Sequence, residues 1–249
     1  MNAPLAGRTA FITGAAQGLG QAIAAGLAQA GARVALADLD TRVADAAAAL
    51  NAAGHTAIGL PLDVRAEAAF ERAYDDAVGQ LGEIGILVNN AALSPARSFW
   101  DISAAEWDDV LAVNLRGTFF GCRIAARRMR AAGWGRIINL SSLAGQQASS
   151  ASGLHYAASK AAILALTRSL ALELAGTGIT VNAIAPSAIE GPALDRLDAA
   201  RRDALCTQIP VGRFGLGREV AAAAVYLAAD DSGYTTGATL DINGGRLMR

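Results

Sequence analysis

Cysteine is scarce in this chain of 249 residues, which contains only Cys122 and Cys206. They lie far apart and belong to no C-x-x-C or Cys/His cluster, so we expect two reduced thiols and no metal site. No apolar run approaches the roughly 20 residues that a membrane span needs. The first residues also lack the basic stretch and apolar core of a secretory signal. These absences predict a cytoplasmic protein with no membrane partner.

Charge of one sign is also lacking, because 21 basic and 22 acidic residues leave a net charge of -1. The charges are scattered along the chain, which argues against nucleic acid as a partner. Hydrophobic residues make up 53% of the sequence, enough for a large buried core. No proline- or serine-rich linker interrupts it. We therefore expect one domain over residues 1–249.

Short aliphatic runs alternate with longer segments of helical period. Such alternation predicts an α/β fold with a parallel sheet covered on both faces. The predicted strands are Thr9–Thr13, Arg33–Ala37, Thr56–Leu60, Ile86–Asn89, Arg136–Leu140, Thr180–Ala183 and Thr239–Ile242. The predicted helices are Leu19–Ala30, Thr41–Ala53, Glu67–Leu81, Ala105–Ala131, Tyr156–Ala175 and Glu219–Ala228.

The first strand runs into a glycine-rich turn and then a helix. Glycines allow a tight turn and a close approach of the backbone to a pyrophosphate, which the N–H groups of the helix then face. This context predicts a dinucleotide site more strongly than the glycines alone. Its expected contacts are Gly14, Gln17, Gly18, Leu19 and Gly20.

Asp38 ends the second strand, about 20 residues beyond the glycines, where an acid can accept hydrogen bonds from the adenosine ribose. It would repel a 2′-phosphate, and neither Gln17 nor Leu39 offers a compensating positive charge. The sequence therefore favours NAD over NADP, although an ordinary exposed carboxylate is the alternative for Asp38. The ends of the third and fourth strands add the candidate contacts Asp63, Val64, Asn90 and Ala91.

Lysine occurs once, at Lys160, and the other 20 basic residues are arginines. It lies four residues after Tyr156, which places both on one face of a helix. A nearby ammonium and a cationic nicotinamide favour the phenolate, so we expect a lowered pKa for Tyr156. Ser142 follows the fifth strand and could donate to a substrate oxygen, with Ser141 as the competing candidate. A core tyrosine beside a snorkelling lysine is the alternative.

The stretch from Pro186 to Gly217 breaks the alternation of strands and helices. We interpret residues 187–216 as a short helical lid over the substrate, and a surface insertion without a role is the alternative. Further pocket residues are expected in Leu93–Arg97 and in Leu143–Leu154, with His155 at the substrate mouth. Trp100 and Trp107 are expected to be packing residues.

The sequence resembles the short-chain dehydrogenase/reductase family from end to end. It departs from the family pattern where Ala92, Ser187 and Gly191 replace the usual glycine, glycine and threonine. The landmarks that carry the resemblance are Thr13-Gly14-x-x-x-Gly18-x-Gly20, Asp63, Asn89-Asn90-Ala91-Ala92, Asn114, Ser142, Tyr156-x-x-x-Lys160, Asn182-x-x-x-Pro186 and Asn243-Gly244-Gly245.

The resemblance implies a Rossmann-like doubly wound sheet of seven parallel strands, with helices on both faces, and a homotetramer. It also implies catalytic roles for Tyr156 as acid/base, Lys160 as its pKa tuner and ribose ligand, and Ser142 as the polarising donor. Asn114 would anchor a proton-relay water. Pro186 and Ile189 would contact the cofactor, the latter through its backbone.

These features predict an NAD-dependent oxidoreductase acting on a sugar, a polyol, or a cyclic or aromatic alcohol. A 3-oxoacyl-[acyl-carrier-protein] reductase is the alternative. Gly133 and Thr177 replace the basic residues that such enzymes present to the carrier, although Arg127, Arg128 and Arg130 leave a basic patch nearby. A cofactor-binding regulator without turnover is opposed by the complete set of serine, tyrosine and lysine.

Overall fold

The computed structural model describes residues 3–148, 152–195 and 198–249. In these ranges seven parallel strands form one sheet in the order β3-β2-β1-β4-β5-β6-β7. The predicted fold class is therefore confirmed. The strand order reverses between β1 and β4, and crevices of this kind of sheet open at such a point. The strands are β1 (Thr9–Thr13), β2 (Arg33–Asp38), β3 (Ala57–Pro61), β4 (Ile86–Asn89), β5 (Gly135–Leu140), β6 (Ile179–Pro186) and β7 (Thr239–Ile242).

Helices cover both faces of the sheet and also form the segment after β6. Six long helical regions were predicted, and each of them is present. The helices in the described residues are α1 (Gly18–Gln29), α2 (Val43–Ala52), α3 (Glu67–Leu81), α4 (Ala104–Leu111), α5 (Gly117–Ala132), α6 (Leu154–Glu173), α7 (Pro192–Asp195), α8 (Ala199–Cys206) and α9 (Gly217–Ala228).

Successive residues of each central strand enter different cores, because side chains alternate between the faces of a sheet. In β1, Ala10 and Ile12 pack with α1 and α9, whereas Phe11 packs with α3 and α5. Both faces are buried, which explains why the strands are continuously apolar rather than alternating. A third, smaller cluster of Leu194, Ile209 and Phe214 lies in the segment after β6.

The predicted helix Ala105–Ala131 differs from the observed structure in its middle. A π-helical segment, Ala112–Arg116, separates α4 from α5. Such a segment widens the hydrogen-bonding pattern by one residue and often occurs at functional sites. Asn114, a predicted site residue, lies inside it. Helical periodicity cannot reveal this insertion, because the apolar pattern continues across it.

The structure corrects the predicted packing of Trp100 and adds detail to the predicted helical lid. Trp100 is 85% exposed, so the prediction that it packs within the chain is wrong. The predicted lid is helical in α7 and α8, with Asp198 capping α8 by accepting a 2.8 Å hydrogen bond from the Arg201 amide. Residues 149–151 of the predicted pocket and residues 196 and 197 of the predicted lid lie outside the described residues.

Helices in the described ranges are all too short or too polar to cross a membrane. Within the same ranges, His, Cys, Asp and Glu side chains form no group of three or more that could hold a metal ion.

Candidate active site

The glycine turn between β1 and α1 is held from outside by residues that follow β4. The hydroxyl of Thr13 accepts hydrogen bonds from the amides of Asn90 and Ala91, at 3.0 and 3.1 Å. The side-chain amide of Asn90 donates to the carbonyls of Thr13 and Gly14, at 3.0 and 2.9 Å. The order of the strands explains these contacts, since β1 and β4 are neighbours. Asn90 therefore fixes the shape of the turn.

Two glycines of the turn adopt conformations that other residues avoid. Gly14 and Gly18 have φ values of +67° and +61°. A β-carbon on Gly14 would also lie 2.7 Å from the Cα of Ala91. Gly20 serves a different purpose, because a β-carbon there would collide with the Gly14 carbonyl. It lets α1 pack directly against the turn.

Asp38 lies beside the same turn, at the end of β2. One carboxylate oxygen accepts a 2.9 Å hydrogen bond from the Ala16 amide, and the other accepts one of 3.0 Å from the Asp40 amide. Each oxygen retains a further lone pair for a ligand. The carboxylate is therefore oriented by the backbone on both sides.

Arg42 is a residue of this region that the sequence reasoning missed. Its guanidinium donates to Asp40 at 2.5 Å and to the side-chain carbonyl of Gln17 at 3.1 Å. The guanidinium also lowers the pKa of the Asp40 carboxyl. Arg42 lies outside the positions next to Asp38 and in the turn, and it reaches back to Gln17 from the start of α2.

A cleft of about 760 Å³ opens between the glycine turn, the ends of β2, β3 and β4, and the segment after β6. Gly20, Tyr156, Lys160 and Pro186 are absent from its lining. The predicted residues that line it are Gly14, Gln17, Gly18, Leu19, Asp38, Leu39, Asp63, Val64, Asn90, Ala91 and Ile189. The lining residues that sequence reasoning missed include Asp40, Leu62, Arg65, Asp109 and Val113, whereas Glu190 belongs to the predicted lid.

Asp63 already has a strong partner in the structure. Arg65 donates to it at 3.0 and 2.7 Å and also bonds Asp109 at 2.8 Å. The Arg65 guanidinium holds the pKa of the Asp63 carboxyl below its usual value. Val64 packs instead on Gly117, where a β-carbon would lie 2.9 Å from the valine side chain. The two neighbours thus present a paired charge and an apolar wall.

Tyr156 and Lys160 lie one turn apart near the start of α6, as their spacing predicts. Lys160 is 3% exposed and donates a 2.5 Å hydrogen bond to the carbonyl of Leu140, the last residue of β5. Its Nζ lies 5.7 Å from the centre of the Tyr156 ring. The lysine is therefore a buried group that joins α6 to the carboxyl end of β5.

The two adjacent serines after β5 have different surroundings. Ser141 is buried and donates a 2.8 Å hydrogen bond to the backbone carbonyl of Lys160. Ser142 is less buried, accepts a 3.1 Å bond from the Ala144 amide and interacts with the Tyr156 hydroxyl. Only Ser142 of the two stands beside the phenol, whereas Ser141 is engaged in holding α6.

Burial affects the ionisation of Lys160 and Tyr156. Burial lowers the pKa of Lys160 to about 7. Burial raises the pKa of Tyr156, and the hydrogen bond with Ser142 opposes that rise. Burial thus opposes the predicted lowering of the phenol pKa, and that lowering by a lysine together with a cationic nicotinamide stays a prediction. The Nζ of Lys160 is directed to the Leu140 carbonyl, and a desolvated amine of this pKa is only partly charged at neutral pH.

Gly145 belongs to the predicted pocket segment Leu143–Leu154, but its role in packing was not predicted. It ends a single 3₁₀ turn, Leu143–Gly145, which follows Ser142. A β-carbon on Gly145 would lie 2.6 Å from the backbone carbonyl carbon of Lys160. The missing side chain lets the turn lie directly on α6, which brings Ser142 and Tyr156 together.

Asn114, in the π-helical segment, joins the loop after β4 to α6. Its side chain accepts a 2.7 Å bond from the Leu93 amide and donates to the Leu93 carbonyl and to Ser159, at 2.9 and 3.0 Å. Ser159 in turn donates to the carbonyl of Tyr156 at 2.7 Å. The side chain is thus committed to protein partners, and the predicted anchoring of a water stays a prediction.

Two other predicted residues have informative positions. His155 is fully buried, with Nε2 3.3 Å from a carboxylate oxygen of Glu106, so its ring does not open onto a substrate mouth.

Ile189 lies in a short parallel pairing in which Gly215 bonds the backbone of Ala188 and Glu190. Its own amide and carbonyl have no backbone partner among the described residues, which leaves both available to a ligand.

Comparison with known proteins identifies the kind of chain that carries this site. The sequence model of a family described as enoyl-(acyl carrier protein) reductase matches residues 14–246. A 2-dehydro-3-deoxy-L-rhamnonate dehydrogenase (NAD(+)) from Sphingomonas sp. (strain SKA58) is 38% identical over 97% of this chain and 96% of its own. A sorbitol dehydrogenase from Cereibacter sphaeroides is 37% identical over 98% of this chain and 99% of its own.

Solved structures of similar sequence share the whole fold. A 3-oxoacyl-[acyl-carrier protein] reductase from Brucella melitensis, with bound NAD, has a TM-score of 0.93 and 36% identity, covering 100% of this chain and 94% of its own. A protein from Agrobacterium tumefaciens provisionally named 2-deoxy-d-gluconate 3-dehydrogenase, with bound NADP, has a TM-score of 0.91 and 38% identity over both full chains. The chain therefore belongs to the short-chain dehydrogenase/reductase family of NAD(P)-dependent oxidoreductases.

Proposed function

We propose that this protein is an NAD-dependent dehydrogenase of small polyhydroxylated substrates, with Tyr156 as its acid/base. The observation that carries the proposal is the convergence of Ser142, Tyr156 and Lys160 at the carboxyl end of β5, joined by the contacts described above. A phenol, a hydroxyl and an amine that meet at this edge form a proton-handling group.

The residues of the cleft fit a dinucleotide. Gly14 and Gly18 leave a cradle without β-carbons, and no side chain caps the first turn of α1. Backbone amides of that turn can therefore bind a pyrophosphate, while Asp38 can accept from a ribose hydroxyl. The cleft volume is in the range of cofactor sites. A nicotinamide held there would supply the acceptor for the hydride of the carbinol carbon.

The chain's own residues manage the proton of the same reaction. In carbonyl reduction, the Tyr156 phenol gives its proton to the substrate oxygen. Alcohol oxidation requires the Tyr156 phenolate, which accepts the proton of the substrate hydroxyl after the phenol has released its own proton to solvent. Ser142 donates a hydrogen bond to the substrate oxygen and so orients it toward the phenol. Lys160, with a pKa of about 7, gains or loses a proton readily at neutral pH. It can therefore exchange a proton with the surroundings of the Tyr156 hydroxyl.

The proposed preference for NAD rests on Asp38, whose carboxylate would repel the 2′-phosphate of NADP. Arg42 gives the same region a cation, but Asp40 already pairs with it at 2.5 Å. We therefore expect NAD to bind more tightly, with NADP weakened rather than excluded. Fluorescence titration of the purified protein with NADH and NADPH tests this, and tighter binding of NADPH would contradict it.

The substrate class follows from the relatives and from the polar surroundings of the site. The Sphingomonas and Cereibacter relatives are named for a sugar acid and a polyol. The test is a panel of polyols, aldonic acids, sugars and aromatic alcohols, with formation of NADH followed by absorbance. Turnover confined to alcohols without further hydroxyls would contradict the proposal.

A 3-oxoacyl thioester is the second candidate, because the Brucella structure bears that activity in its name. The basic patch near Gly133 argues against it in this chain. Arg127 and Arg128 face Glu71 and Asp75 of α3, so acids neutralise the surface that a carrier protein would need. Reduction of a 3-oxoacyl thioester faster than oxidation of every polyol would favour this candidate instead.

We also propose a homotetramer, as the resemblance implies. The support is a group of large apolar side chains near α4 and α5 that the chain leaves exposed, namely Phe99, Trp100 and Phe119. Sedimentation velocity measures the mass directly, and a monomer at assay concentration would contradict the proposal.

A further inference from the structure

The C-terminal residues lie against the two segments expected to contact the substrate. After β7, Arg246 donates to the Ser187 hydroxyl at 3.2 Å and to the side-chain carbonyl of Gln208 at 2.9 Å. Arg249 reaches the opposite side and donates to the side-chain carbonyl of Gln146. One end of the chain thus contacts both the segment after β5 and the segment after β6.

Arg249, Gln146 and Asp241 form a closed ring of hydrogen bonds. Nε of Arg249 donates to Asp241 at 2.9 Å, and the Gln146 amide nitrogen donates to the other Asp241 oxygen at 2.6 Å. Arg249 completes the ring through the Gln146 carbonyl. Both ends of the Gln146 side chain are therefore occupied, and only one orientation of its amide satisfies them.

Burial makes this ring more than a surface ion pair. The Asp241 side chain is 18% exposed and that of Arg249 is 54% exposed. A largely buried carboxylate needs a cation and donors, since an unpaired charge is costly to bury. Asp241 is fixed on β7, whose neighbour β6 ends at Pro186. The ring therefore ties Gln146 to the sheet across the end of β6.

Gln146 directly follows the turn that positions Ser142. The backbone N–H of Gln146 donates to the Leu143 carbonyl at 2.9 Å, and the backbone N–H of Gly145 donates to the Ser142 carbonyl at 3.0 Å. Ser142 itself caps the turn. Holding the Gln146 side chain therefore holds the short segment that begins at Ser142.

We propose that Asp241 and Arg249 are positioning residues for substrate recognition, acting through Gln146 on the Ser142–Gln147 segment. This proposal rests on the proposed function, because it requires the Ser142–Gln147 segment to form a wall of the substrate site. Neither residue lines the dinucleotide cleft. Their loss should therefore weaken substrate binding and leave NAD binding unchanged.

The kinetic test compares Arg249→Gln and Asp241→Asn with Arg218→Gln, an exposed arginine of α9 without a hydrogen bond among the described residues. We expect KM for the preferred polyol to rise about tenfold in the first two, with kcat within about threefold. The control should match wild type. Arg249→Lys should recover part of the loss, because lysine keeps the charge but cannot form both bonds. An unchanged KM, or a raised Kd for NAD, would overturn the proposal.

A double variant tests whether Arg249 acts through Gln146. If it does, Gln146→Ala combined with Arg249→Gln should have the same KM as Gln146→Ala alone. Additive increases would show that Arg249 acts on the substrate by another route and would overturn the positioning role.

Hydrogen–deuterium exchange separates this proposal from the proposed function, since it needs no turnover. Peptides covering residues 142–148 should exchange faster in Arg249→Gln than in wild type or Arg218→Gln, while peptides of α1 remain unchanged. Equal exchange in that segment would overturn the positioning role. A wild type without activity on any substrate, with faster exchange in the variant, would instead reject the proposed function alone.

Discussion

The amino-terminal and carboxyl-terminal edges of the sheet, where its parallel strands begin and end, carry different kinds of side-chain contact. At the amino-terminal edge, Trp134 lies beside two guanidinium groups, with Arg8 3.6 Å and Arg136 4.6 Å from the ring centre. Its indole N–H donates to Asp230 at 3.1 Å, and Arg8 bonds the same carboxylate at 2.8 Å. At the carboxyl-terminal edge stand the glycine turn, Asp38 and the half-buried hydroxyls of Ser142 and Tyr156.

The difference shows how one set of strands can serve stability and chemistry separately. At the amino-terminal edge, the side chains of Trp134, Arg8 and Asp230 bind one another. At the other edge, glycines remove side chains and expose backbone groups. Changes at the first edge should therefore alter the free energy of unfolding, and changes at the second should alter rates and affinities.

The largest expected effect is that of Tyr156→Phe on turnover. Removing the hydroxyl removes the acid/base but keeps the ring, so kcat should fall by about 10²- to 10⁴-fold. The Kd for NADH and the midpoint of urea unfolding should stay near those of wild type. Steady-state kinetics and fluorescence titration measure these quantities. Turnover within tenfold of wild type would remove Tyr156 from the proposed mechanism.

Trp134→Ala probes the other edge. The variant loses a packed indole and two cation–π contacts, so the free energy of unfolding should fall by about 3 kcal/mol. Tyr234→Ala is the control, because that side chain is fully exposed and its loss should change stability by less than about 0.5 kcal/mol. Urea unfolding measures both. If kcat of the folded Trp134→Ala protein fell as well, the two edges would not be separable.

Lys160 should affect both stability and chemistry, because its side chain is buried and also belongs to the site. Its folded pKa of about 7 lies below the ordinary value of 10.5. Above pH 7 the unfolded chain therefore binds a proton that the folded chain does not, and folding stability rises with pH up to about 10. Burial of the charged form is the cause.

Lys160→Met should remove this pH dependence. Without cofactor, the free energy of unfolding of wild type should increase by roughly 2 kcal/mol more than that of the variant between pH 7 and pH 9. Urea unfolding at the two pH values measures the difference. Parallel profiles for the two proteins would show that the amine is not desolvated as the structure places it.

The carboxyl-terminal edge was also the part most accessible to sequence reasoning. The placement of Gly14, Asp38 and the pair of Tyr156 and Lys160 at this edge could be predicted because each has a fixed spacing from a strand end or along a helix. The strands β1, β4 and β7 were predicted with their observed bounds for a similar reason, since short apolar runs between turns define them.

Contacts between distant segments could not be predicted in this way. The π-helical segment around Asn114 leaves the apolar periodicity intact, and Arg42 reaches Gln17 across 25 positions of sequence. Arg249 meets Gln146 across 103 positions. The upward effect of burial on the Tyr156 pKa could not be predicted either, because helical spacing says nothing about burial.

The smallest expected effect is that of Asp38→Asn, in the part of the cleft where the adenosine ribose is expected to bind. Asp38 accepts bonds from two backbone amides, and Asp38→Asn offers only one oxygen for them and no charge against a 2′-phosphate. We expect the Kd for NADH to rise about tenfold and that for NADPH to change less, so that the ratio of the two approaches one. Arg42→Gln is the matched variant, since it should weaken NADPH alone by a few-fold. Fluorescence titration gives all four constants, and an unaltered preference in Asp38→Asn would place cofactor selection elsewhere on this edge.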